Sequence, residues 1–271
     1  MKKNKSGKIL LTFLAFAATI FALSGVKLSA GSFRTGDRPL VICIDPGHGG
    51  DDEGAIYKHG GAEVMEKDLN LVIAEALRSE LLKYENVTVV MTREDDVKVE
   101  PQERADIAYA SDADVFISVH INANPDKPSR GCMIMCNVSH YQAPGAKTPD
   151  NYMVSSRLGG FLLDYLIEKG LLVSDDMDEY GGFEGIVRRS YSEDGGASKE
   201  ELYDDGSVAD YYYQLRFTAQ YGIPAVIIEH AYLSSDEDYE AYLSSADKLA
   251  ELGVADALAI AETYNLKLIE E

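Results

Sequence analysis

Leu40-Val41-Ile42-Cys43-Ile44-Asp45-Pro46-Gly47-His48 decides how this 271-residue chain reads. A short apolar run rich in β-branched residues stops at turn formers, which is the pattern of a buried strand. The turn then delivers a histidine. Two later stretches behave alike: Val115-Phe116-Ile117-Ser118-Val119 ends on His120, and Ala225-Val226-Ile227-Ile228 ends on Glu229. In open α/β sheets, ligands bind beyond the carboxyl ends of the strands. Two histidines and a glutamate arriving at three such ends outline a metal site.

Outward from that stretch, strands and helices alternate. A glycine-rich loop over 47–61 leads to a helix near Glu66, whose Leu69, Ile73, Ala76, Leu77 and Leu81 share one face. Val87–Met91 and residues 115–120 read as the next strands, Pro101–Ala110 as a short helix, and 131–136 as a fourth strand. Further helices are expected over 153–169, 209–221 and 245–264. The fold class is therefore α/β: a single domain over 39–266, its central, mostly parallel or mixed sheet holding about five to six strands with helices on both faces. Residues 171–210 stand apart. They are rich in Asp, Glu, Gly and Ser, keep no sustained period, and read as a long acidic loop or lid inserted into the domain.

The formal charge is −21, and Lys2, Lys3, Lys5, Lys8 and Lys27 are the only charges before residue 31, so residues 31–271 carry −26. Such a body repels nucleic-acid phosphates, and no nucleic-acid partner is expected. Residues 1–30 pair a lysine-rich start with an uncharged apolar stretch over 9–23 and then small residues, the order of a secretory signal. That stretch falls short of the ~20 residues that usually span a bilayer. Export across a bacterial cytoplasmic membrane to the wall or beyond is expected, with a membrane tether if the signal stays uncleaved. Residues 31–38 read as a linker. Cys43 reads as a small buried hydrophobe, and Cys132 and Cys136 would share one strand face as core residues rather than form half of a zinc site.

Catalytic zinc takes three protein ligands and a water. Two imidazoles and one carboxylate leave the ion a net positive charge, enough to bring the pKa of that water near ~7. His48 and His120 supply the imidazoles. Glu63, Glu66 and Asp68 all compete by spacing for the third place. Glu229 then remains to take a proton from the water and pass it to a leaving nitrogen. Asn122 points the same way as His120 if the strand continues, and reads either as a substrate contact or as a brace for the loop. Asp45 and the glycines at 47, 49 and 50 read as the turn that presents His48. His230 faces away from Glu229 and reads as a packing or supporting residue. His59 and His140 read as surface residues.

Five ordered motifs carry a family resemblance: Ile44-Asp45-Pro46-Gly47-His48-Gly49-Gly50, Glu66-Lys67-Asp68-Leu69-Asn70-Leu71, Met91-Thr92-Arg93, Ser118-Val119-His120-Ile121-Asn122-Ala123 and Pro224-Ala225-Val226-Ile227-Ile228-Glu229. Together they resemble the zinc-dependent N-acetylmuramoyl-L-alanine amidases of the type 3 family, from about residue 40 to 264. The resemblance implies one Zn2+ ion held by His48, Glu66 and His120, with Glu229 as the catalytic glutamate. It also implies hydrolysis of the amide between N-acetylmuramic acid and L-alanine in peptidoglycan. The substrate partner would then be peptidoglycan or its muropeptides, acted on by a monomer that a protein activator could control. Arg188 and Arg189, the notable cations of the acidic stretch, are expected to meet the carboxylates of the stem peptide.

Overall fold

Side chains alternate across each central strand, and two cores form as a result. The computed structural model describes residues 38–270 except 128, 149, 179 and 192–200. The expected signal, and the linker up to residue 37, lie outside the described residues. The strands are β1 Leu40–Pro46, β2 Ile56–His59, β3 Ala62–Met65, β4 Val87–Met91, β5 Val115–Asn122, β6 Met133–Cys136, β7 Gly182–Phe183, β8 Ile186–Val187 and β9 Ala225–Tyr232. The main helices are α1 Glu66–Leu81, α2 Pro101–Ala110, α3 Asn151–Glu168, α4 Tyr213–Gln220 and α5 Ala246–Tyr264.

The main sheet has seven strands in the order β4-β1-β5-β9-β6-β8-β7. β4, β1, β5 and β9 run parallel, whereas β6 joins β9 antiparallel, so the sheet is mixed as expected. Leu40, Ile42 and Ile44, with Val115, Ile117, Val119 and Ile121, face a core shared with α1, α3 and α5. Cys43, Phe116, Ala225 and Ile227 face the other core, beside Ala108 of α2 and Leu215 of α4. A strand buried on both faces reads as a continuous apolar run, which is why these were visible in the sequence. Cys132 and Cys136 lie in the first core, on one face as expected.

Several boundaries move for local reasons. The glycine-rich loop holds the β2–β3 hairpin, turned by Gly60 and Gly61 at φ 60° and 86°. α3 starts at residue 151 rather than 153 because the Asp150 side chain accepts from Met153 N. α4 starts four residues later than expected, because Tyr212 is extended and Asp210 is bridged to Ser190. Within the stretch read as a lid, β7 and β8 join the sheet edge, and Val187 is buried. No helix among the described residues is long and apolar enough to cross a membrane.

Candidate metal centre

Pairing in the sheet brings the strand ends to one place. Pro46 is the register partner of Val119, and His120 is the register partner of Glu229. Side chains of register partners project to the same face, so His120 and Glu229 stand side by side.

His48 needs more help, because it sits at φ +60°, where an ordinary side chain is strained. Two buried arginines hold the chain there by its carbonyls. Arg93 donates to the carbonyls of Pro46, Gly47 and Lys67 at 3.0, 2.9 and 2.8 Å. Arg104 donates to those of Pro46 and His48, both at 2.8 Å, and pairs with Asp45 at 2.6 Å. Asp45 is fully buried and also accepts from Thr92 Oγ1 at 2.6 Å and Ser118 Oγ at 2.7 Å. Burial alone would raise its carboxyl, but the Arg104 charge and these bonds hold it below the usual range. Asp45 therefore anchors the turn from inside rather than simply forming it. Gly47 is required by close approach: a Cβ there would lie 2.3 Å from His120 Cε1.

Glu66, the first residue of α1, lies between the histidines. Its Oε2 is 3.2 Å from His48 Nε2, and its Oε1 is 2.9 Å from His120 Nδ1. Asn70 Nδ2 and the Ile121 N–H donate to Oε1, both at 3.2 Å, and the Ala55 N–H donates to Oε2 at 3.0 Å. Of the other two acids considered by spacing, Glu63 is exposed beside Lys58 and Asp68 is exposed. Ligand atoms of His48, Glu66 and His120 all lie within 4.8 Å of one another.

The chemistry of this group suits a divalent cation. Burial opposes charge on His48, yet Glu66 at Nε2 and Asp52 at Nδ1 raise its imidazole to about 9. Burial likewise opposes ionisation of Glu66, but the two histidines overcome it and hold the carboxyl well below its usual range. Positive charge is favoured at this point, and a metal ion could supply it. His120 Nε2 is buried with no hydrogen-bond partner among the described residues. Glu229 differs: burial, the leading cause, pushes its carboxyl up to about 7, and its buried Oε2 has no partner among the described residues.

Asn122 closes β5 on the same side. Its Oδ1 accepts from the Ala123 N–H at 2.7 Å and from the Tyr180 hydroxyl at 3.3 Å, while its buried Nδ2 has no partner among the described residues. Arg188 and Arg189 diverge. Arg188 lies over Tyr152 and donates to Ser156 Oγ at 3.1 Å, on α3. Arg189 lies 4.1 Å from the centre of the Tyr211 ring, and its charge reaches Tyr212, which also feels Glu229. His59 is not the surface residue expected: its side chain is buried, stacked on Tyr239 at 3.6 Å, with Nε2 2.9 Å from the Leu233 carbonyl. His140 is exposed as expected.

Sequence reading missed roles for Asp52, Asn70, Arg93 and Arg104. Spacing could have found the first two, each placed four residues after His48 or Glu66. The strand-end rule could have found Arg93, two residues beyond β4.

Residues 42–262 match the family model described as N-acetylmuramoyl-L-alanine amidase, Amidase_3. The chain is 42% identical over 98 residues to the N-acetylmuramoyl-L-alanine amidase AmiC of Escherichia coli O6:H1, covering 36% of this chain and 23% of that protein. Among solved structures, Cwp6 from Clostridium difficile superposes with a TM-score of 0.62 at 26% identity, covering 83% of this chain and 29% of that one. The catalytic domain of CwlV, an N-acetylmuramoyl-L-alanine amidase from Paenibacillus polymyxa var. colistinus, gives 0.58 at 25% identity, covering 84% and 99%. The chain spans well under two thirds of the first curated relatives it matches, at 23% and 33% of their lengths.

Proposed function

The chain belongs to the N-acetylmuramoyl-L-alanine amidase family, and from that premise we propose that it is an exported, zinc-dependent hydrolase of the peptidoglycan amide between N-acetylmuramic acid and L-alanine. The observation that carries this reading is the joining of His48, Glu66 and His120 into one group, with Glu229 in register beside it. Export is supported by the order of charged, apolar and small residues over 1–30.

His48, Glu66 and His120 would hold the ion. When bound, zinc would supply Lewis-acid polarisation of the amide carbonyl and an acidified water. Glu229 would hold a proton on its carboxylate and pass it to the leaving nitrogen. Burial favours the protonated carboxyl needed to give the proton up, and the positive charge of a bound ion would favour the carboxylate needed to receive it. Oε2, which has no partner among the described residues, is the atom placed to exchange the proton. Asn122 Nδ2 offers a hydrogen bond to the substrate, because only its oxygen is engaged. Arg189, whose charge and that of Glu229 both reach Tyr212, would meet a stem-peptide carboxylate, whereas Arg188 is turned to Tyr152 and Ser156. Changing Arg189 to alanine should raise KM on muropeptides more than changing Arg188 does.

Digestion of purified peptidoglycan followed by mass spectrometry tests the reading. Intact stem peptides beginning with L-alanine should be released, and a zinc chelator should abolish their release. Cleavage within the stem would instead mark a peptidase. Glu229→Gln should lower kcat by ~10²–10⁴-fold while zinc binding persists. Unaltered turnover in that variant would remove Glu229 from the mechanism.

A further inference from the structure

His230 takes no part in the chemistry above, yet it is fully buried beside it. Its Nδ1 lies 3.0 Å from the His120 carbonyl oxygen, and its Nε2 lies 2.9 Å from Oδ2 of Asp256 on α5. Asp256 is also fully buried. A carbonyl oxygen can only accept, so Nδ1 must carry a proton. Nε2 and Asp256 then share one further proton, and their bond forms whichever of them holds it. Geometry alone sets which way the ring serves each neighbour.

The contact falls on one particular peptide unit. Its oxygen, on His120, receives the His230 bond, and its nitrogen, on Ile121, donates to Glu66 Oε1 at 3.2 Å. It also sits where the β5–β9 ladder changes register. His120 pairs with Glu229, but Asn122 pairs with Tyr232, so His230 and Ala231 together oppose Ile121. Irregularities of this kind re-aim side chains near active sites, and the local backbone then needs another constraint. The pair carries a cost, since Asp256 Oδ1 is buried with no partner among the described residues. Two well-packed apolar residues could fill such a place without that penalty, so stability alone does not account for it.

We propose that His230 and Asp256 form a buried brace that positions His120 for metal binding, acting through the His120–Ile121 peptide and not by touching the ion. His230 is thus a positioning residue, and the proposal rests on the reading of His120 as a ligand.

Zinc affinity measured by chelator competition, alongside thermal melts, tests it on four proteins. These are the wild type, Asp256→Asn, the double variant His230→Leu/Asp256→Leu, and the double variant His230→Asn/Asp256→Leu. The double leucine variant should fold and bind zinc about 10–100-fold more weakly. His230→Asn/Asp256→Leu restores an N–H donor near the Nδ1 position and should recover most of that loss. Asp256→Asn still donates to Nε2 and should bind as the wild type does. A folded double leucine variant with wild-type affinity would overturn the brace, as would an asparagine variant no better than it, or a large loss in Asp256→Asn. A wild type that binds no zinc overturns the metal reading and the brace with it. If the double leucine variant does not fold, 15N NMR of wild-type histidines decides: Nδ1 of His230 should be protonated with and without zinc, and an unprotonated Nδ1 would sink the proposal.

Discussion

A single methyl group at position 47 would collide with the His120 ring, whose nearest three atoms lie 2.3–2.6 Å from where it would stand. Gly47 has no positive φ, so the requirement is for space and not for backbone freedom. Gly47→Ala should therefore fold, with a displaced His120. A shift of about 1 Å in a catalytic group can cost ~10²-fold, and kcat/KM should fall by that order while the melting temperature changes little. His48, His120 and Glu229 were legible because each follows a buried run. Glu66 was not legible by spacing, since the choice among three acids depends on which face of a helix start meets the strand ends. Asp45 misled for a similar reason. Its partners come from residues 92, 104 and 118, and no local pattern shows them converging.

At the level of elements, α1 and α5 approach through Gly253, where a Cβ would lie 2.3 Å from the Ile73 carbonyl oxygen and 2.7 Å from Leu77 N. Helix propensity favours alanine over glycine by ~1 kcal/mol. Here the obstacle is backbone, and overpacking a core costs ~1–3 kcal/mol or more. The clash should win. Gly253→Ala is expected to lower stability in denaturant melts despite its better propensity, and a stabilised variant would show that the helices can part. Central strands and long helices were readable because burial on both faces, or on one, imposes a clear period. The β2–β3 hairpin was not, because each strand has four residues and the tip is glycine. β7 and β8 are two residues each, too short to carry any period.

For the whole molecule, stability at low pH should depend on Asp45 as well as on Glu66, whose carboxyl is also held below its usual range. The folded Asp45 carboxyl titrates below the ordinary 3.8, so the unfolded chain takes up the proton first as pH falls. The stabilisation is complete above about 4 and is lost as pH drops through the folded value. Asp45→Asn should be less stable at neutral pH by ~3–5 kcal/mol, because Arg104 is left buried without its partner. Its stability should also depend less on pH below about 4. Urea melts across that range would reveal an unchanged slope if Asp45 were not responsible. The hairpin supplies a practical consequence. His59, the last residue before its turn, is fastened to the Leu233 carbonyl just beyond β9, but a Cβ on Gly60 or Gly61 would meet nothing among the described residues within 4 Å. A few residues or a fluorophore attached at that tip would meet open space, so the chain could be labelled there while the residues of the metal centre keep their places.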